Sequence, residues 1–165
     1  MSATILTPPQ SSAAARAGLP LLVSLTERYP NYLFSAMLVN LEFARAQPDT
    51  VTAYLRAELH AQRRLADPGA KHDMIRILAE NSELDAAESA MCYAEMVERD
   101  RVFCTDGNLA PADLGDLVDG LRRLGECDCR LGPAAYLDLS WLHQAQQQLA
   151  RADARALSTE GPIHR

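Results

Sequence analysis

Four cysteines and four histidines are the side chains of this 165-residue chain best suited to metal binding or nucleophilic chemistry. Cys127-Asp128-Cys129 sets two thiols around one intervening residue. That spacing is cramped for an ordinary disulfide and differs from the usual spacing of structural zinc sites. A metal centre there needs a further ligand, such as Cys104 or a histidine, and no second closely spaced pair accompanies it. Reduced, structurally incidental thiols are therefore the expectation, Cys92 included. His60, His72, His143 and His164 have no two members at the spacing of a two-histidine metal site on one helix, and read as partly exposed helix or tail residues. There is no glycine-rich phosphate loop, no G-x-S-x-G elbow and no histidine beside a plausible nucleophile. The expectation is a protein that is not an enzyme and takes no cofactor.

The remaining candidates are hydroxyl groups. In open α/β sheets ligands sit beyond the carboxyl ends of strands, so a hydroxyl at a strand exit followed by a helix amino terminus can face a binding cleft. Thr7 fits that place, and Tyr32 and Ser35 lie on the most apolar run of the first third. The plainer alternatives are that Thr7-Pro8 ends a strand and that Tyr32 and Ser35 serve core and turn packing.

Composition narrows the partners. A formal charge of -6 and a pI near 5.2 oppose binding to phosphate backbones, which rests on cationic neutralisation. Arg63-Arg64 and Arg122-Arg123 each sit in an amphipathic helical pattern with acidic neighbours, the mark of a solvated face. No run approaches the ~20 apolar residues that span a bilayer. The start MSATILTPPQSS lacks a basic segment and a long apolar run, so it does not read as a secretory signal, and the polypeptide as written is expected in the cytoplasm.

The elements that must position these residues fall into two regimes. Ala3 to Leu6, Leu21 to Leu25 and Tyr32 to Val39 are short apolar runs that read as strands buried on both faces. A small-residue helix from Ser11 to Ala17, closed by Gly18, lies between the first two. After Asn40 the pattern is helical. Pro48 and Asp49 open a helix with an apolar stripe at Val51, Leu55 and Leu59. Asp67-Pro68 starts the next, Asp85 and Glu88 have capping-box spacing, and Pro111 opens a helix with Leu114, Leu117, Val118 and Leu121 on one face. A last helix runs from about Asp138. The fold class expected is α/β, with short strands followed by about five helices. The expected organisation is 1–40, 41–157 and a disordered tail at 158–165.

The order of these pieces resembles the carboxyl-terminal half of type II periplasmic solute-binding proteins of ABC importers, of the nitrate/sulfonate/taurine and thiamine-precursor type. The matching segments are ATILTPPQ, AARAGLPLLVSL, YLFSAMLVN, QPDTVTAYLRAELHA, LADPGAKHDMIRILAENSELD, RVFCTDGNLAPADLGDLVDGLRRLGE and AAYLDLSWLHQA, spread from Ala3 to Ala150. The resemblance implies a two-lobed periplasmic protein that closes on a small organic or anionic solute, such as a sulfonate, nitrate or a pyrimidine precursor, and delivers it to an ABC permease without chemistry. It implies ligand contacts at Thr7, Tyr32 and Ser35 and a hinge from Pro30 to Asn40, where 1–40 ends the second lobe and 41–157 belongs to the first. The first-lobe core is absent from this sequence, so a homodimer or pairing with a separate amino-terminal half is expected. The alternative function is a helical protein-interaction module without a small-molecule site.

Overall fold

The computed structural model describes residues 3–28, 33, 35–109, 111–128, 130 and 132–159. In chain order the helices are α1 (Gln10–Arg16), α2 (Leu25–Arg28), α3 (Leu41–Ala46), α4 (Pro48–Ala66), α5 (Lys71–Asn81), α6 (Ala86–Tyr93), α7 (Pro111–Leu124) and α8 (Ser140–Thr159). Short 3-10 turns stand at Pro68–Ala70 and Pro133–Tyr136, and a π-helical turn at Ala94–Arg99 extends α6.

The described residues contain no strand, so the expected α/β class is wrong: this part of the chain is all helical. Residues 3–6 and 21–24 are irregular, Leu25 opens α2 instead of closing a strand, and Leu33 and residues 35–39 are irregular as well. Tyr32 and Phe34 of the third expected strand lie outside the described residues. The physical reason is that an apolar run becomes a strand only when a neighbour pairs with its backbone. None among the described residues does so here, and Pro20, just before the middle run, has no amide hydrogen with which to extend a pairing.

The helix signals are met where the local chemistry is self-contained. Gly18 takes φ +78, and the Gly18 and Leu19 amides donate to Ala15 and Ala14, closing α1 with the left-handed residue that glycine tolerates. Asp67 Oδ1 accepts from the Gly69 amide at 2.9 Å. Asp85 and Glu88 form the reciprocal capping box, at 2.8 and 3.2 Å. At the last helix Asp138 Oδ1 accepts from the Ser140 amide at 3.0 Å, so Asp138 caps α8 rather than beginning it. α8 continues through Ser158 and Thr159, inside the expected tail; residues 160–165 lie outside the described residues.

The chain divides into two compact units. Unit 1 comprises Met1–Pro30 and Gln62–Thr105. In it α5 packs on α6, Ala70 is fully buried, and the buried Tyr93 donates its hydroxyl to the Leu65 carbonyl at 2.8 Å. Among the described residues its buried side chains are Ser12, Ala70, Ser89, Cys92 and Tyr93, with no leucine, isoleucine, methionine or phenylalanine. Leu65, Leu78 and Leu84 are half-buried, and the run Leu19, Leu21, Leu22, Val23 and Leu25 is exposed throughout, Leu21 by 80%.

Unit 2 comprises Asn31–Ala61 and Asp106–Arg165, and it holds the aliphatic core. Leu59, Leu142, Ala145 and Leu149 are buried together, with Leu55 and Leu139 against them. Thr52 Oγ1 donates to Gln144 Oε1 at 3.2 Å and Arg56 to Gln148 Oε1 at 3.1 Å. Both bonds join α4 to α8. The Asp106-Gly107-Asn108 turn covers this pair. Gly107 has φ +70, and a Cβ there would stand 2.9 Å from Leu59 Cδ2 and 3.0 Å from Leu142 Cδ1. Gln146 Nε2 donates to the Asp106 carbonyl at 2.7 Å and fastens the turn to α8.

Gly107→Ala therefore meets both a left-handed backbone and an occupied space, and is expected to cost about 2 kcal/mol. Gln146→Ala should cost about 1 kcal/mol. The double variant should cost less than the sum, because both act through the same turn. Urea unfolding of the three variants measures this.

Candidate functional site

Thr7 is exposed, and its backbone is what the fold uses: the carbonyl accepts from the Ser11 amide at 3.1 Å at the start of α1. Ser35 is exposed in an irregular stretch, and Tyr32 lies outside the described residues. Thr7 belongs to unit 1 and Ser35 to unit 2. Neither is set in a cavity by the residues around it. A hollow open to solvent is lined by Leu21, Leu22, Val23, Ser24, Glu27 and Arg28, the first four from the run that was expected to be a buried strand.

His60, His72 and His143 are exposed on α4, α5 and α8. Among the described residues no three histidine, cysteine or acidic side chains gather in a way that would hold a metal. Cys127 is disulfide-bonded, which corrects the expectation of a reduced thiol there. A sulfur in a disulfide is not a thiolate ligand, so Cys127 in this state does not serve the zinc reading. Cys92 and Cys104 are thiols, the first buried and the second exposed. Burial pushes the Cys92 thiol above its usual range, and the nearby Glu95 and Glu88 carboxylates add to the shift. The group is held neutral, the opposite of an activated nucleophile.

The charged groups are engaged in surface pairs. Lys71 reaches Glu98 at 2.7 Å and lies 5.6 Å from the Tyr93 ring centroid. Arg76 joins Glu80 at 2.9 Å, and Arg99 makes two bonds to Asp100 at 2.8 and 2.9 Å. Those Arg99 bonds hold the Asp100 carboxyl below the ordinary carboxylate range. They close the π-helical turn, whose Asp100 amide donates to Glu95 and whose Val102 amide donates to Met96. The next residue, Arg101, takes φ +48, a left-handed conformation rare outside glycine. Pairs this exposed contribute little to stability and assemble no acid–base couple.

What the arrangement offers chemically is therefore apolar surface rather than a reactive centre. Two stretches carry it: Leu19 to Leu25 in unit 1, and Met37 to Phe43 in unit 2, where Leu38 is 91% exposed and Met37, Val39, Leu41 and Phe43 are exposed too. The sequence marks both as apolar. Only the structure places them on the outside. No helix among the described residues is long and apolar enough to cross a membrane. No family model, curated protein or solved structure matches the chain.

Two outcomes check this description. In the oxidised native protein Cys104 is expected to alkylate readily at about pH 8, and Cys92 only after unfolding; mass spectrometry of the labelled peptides reads the order. Asp100 has a depressed native pKa, so its contribution is present above the ordinary value of 3.8 and is lost as pH falls through the native value. Asp100→Asn should lower stability slightly at neutral pH and leave it unchanged below the native value, which flattens the acid limb of the stability profile, as followed by circular dichroism.

Proposed function

We propose that this polypeptide acts by associating with another protein surface, as an interaction module without chemistry of its own. The observation that carries the reading is the pair of exposed apolar stretches, Leu19 to Leu25 and Met37 to Phe43. Contiguous apolar surface of this kind marks sites of association. The burial pattern supports it. Two separate compact bodies of about 9 kDa each would expose about 9,700 Å² between them. This chain exposes 12680 Å².

A second reading follows from the sequence resemblance to solute-binding proteins of ABC importers. In it, capture of a small organic or anionic solute and delivery to a permease belong to an assembly of this chain with a partner polypeptide, and Thr7 and Ser35 meet the solute only there. Their exposed positions in the isolated chain support assigning capture to the assembly.

An apolar dye such as ANS should brighten strongly with the native protein. A panel of sulfonates, nitrate and pyrimidines should leave its thermal transition unmoved. A dye-silent monomer with a sharp transition would overturn the association reading, and a ligand-induced rise in Tm of the chain alone would overturn the assignment of capture to an assembly.

A further inference from the structure

The turn over the core of unit 2 contains a residue pair whose own chemistry can unseat it. A backbone amide that follows an aspartate can close a five-membered ring onto the side-chain carboxyl, and glycine is the residue that obstructs this closure least. The chain holds two Asp-Gly pairs, Asp106-Gly107 and Asp119-Gly120. Gly120 lies inside α7, where the helical ladder engages its amide and fixes the backbone on both sides. Gly107 stands outside any helix with φ +70, its amide donates to no described residue, and Asp106 beside it is exposed.

We propose that Asp106 is a site of spontaneous modification, where the Gly107 amide converts the aspartate to isoaspartate and thereby lifts the turn off Leu59 and Leu142. The Gly107 nitrogen attacks Cγ of the protonated Asp106 carboxyl. An N–Cγ bond forms, and the carboxyl hydroxyl leaves with the amide proton as water, which closes a succinimide. Hydrolysis of the ring then consumes one water. Cleavage at Cγ restores aspartate, whereas cleavage at the Asp106 backbone carbonyl leaves Gly107 attached through Cγ. The net change is an isomerisation that needs no oxidant, reductant or cofactor.

The bonds around Asp106 set its pace. The Asn108 amide donates to Asp106 Oδ1 at 3.0 Å and Asn108 Nδ2 donates to Asp106 Oδ2 at 2.7 Å, so the carboxyl must leave both before it reacts. These contacts slow the reaction without blocking it, because Asp106 and Asn108 are both exposed and surface bonds open readily. The consequence follows from the fit of the turn. Isoaspartate carries the backbone through an extra methylene just before Gly107. The space there is closed by Leu59 Cδ2 and Leu142 Cδ1, which a Cβ on Gly107 would meet at 2.9 and 3.0 Å. The Asp106 carbonyl that accepts from Gln146 also becomes a free carboxylate. The lengthened turn cannot stay seated, and Leu59 and Leu142 lose their cover.

Ageing of the full native chain, followed by peptide mapping with an isoaspartate-specific carboxyl methyltransferase, tests the proposal. Isoaspartate is expected to accumulate at 106 at least about tenfold faster than at 119 in the native protein, and at similar rates at both once urea has unfolded the chain. Asn108→Ala, which removes one of the two bonds, should speed the native reaction about fivefold. The Tm of the aged wild type should fall in step with its isoaspartate content. An equally aged Asp106→Glu variant, whose longer side chain disfavours the ring, should keep its own Tm. Native isoaspartate that is absent from 106, or as abundant at 119, would overturn the proposal, and the wild type alone supplies that comparison. An Asn108→Ala chain that reacts no faster would sink the role given to Asn108. An aged chain rich in isoaspartate at 106 with an unmoved Tm would refute the lifting of the turn.

Discussion

The packing of α4 against α8 is the interaction on which the ordered part of unit 2 depends. Leu59 is nearly inaccessible between Leu142, Ala145 and Leu149, and truncating such a residue to alanine removes about 2–5 kcal/mol. The polar bonds from Thr52 and Arg56 fix which turn of α4 faces which turn of α8. The leucines alone would tolerate a slide. The Gly107 turn then seals the end of the pair, because only a residue without a side chain fits over Leu59 and Leu142.

Unit 1 is built on a different balance. Its helices are individually well specified, with a capping box before α6 and a glycine closing α1, yet their shared interior is small and partly polar. Ser12 Oγ and Ser89 Oγ are buried without a hydrogen-bond partner in the described structure, a cost that a tighter aliphatic core would normally offset. Local signals hold the elements while burial contributes little. That contrast gives the exposed run Leu19 to Leu25 its significance.

The same contrast explains how much was legible in the sequence. Gly18, Pro48, Asp67, Asp85 with Glu88 and Pro111 act on their own neighbours within one turn, so the helix limits they imply are found in the structure. The runs at 3–6, 21–25 and 32–39 were misread because a strand is a statement about two segments, and apolar composition speaks for only one of them. The candidate hydroxyls inherit that error: Thr7 is read at a strand exit and Ser35 within a strand, and without strands their positions confer no common cleft. The apolar run from Leu21 to Leu25 is visible in the sequence as composition but not as surface. Cys127 shows a further limit, since sequence spacing alone did not reveal its oxidation state.

The distance in sequence between α4 and α8 has a kinetic meaning. Thr52 and Gln144, like Arg56 and Gln148, are separated by 92 residues, and closing a loop of that length costs about 4 kcal/mol of chain entropy before any contact repays it. Folding of unit 2 therefore has a late nucleus. During synthesis the first half of the chain leaves the ribosome with Leu55 and Leu59 uncovered, and it stays so until α8 emerges. In that interval the leucine-rich run before α2 and the bare face of α4 are exposed on the same nascent polypeptide, which makes the growing chain a stronger substrate for chaperones than the finished one.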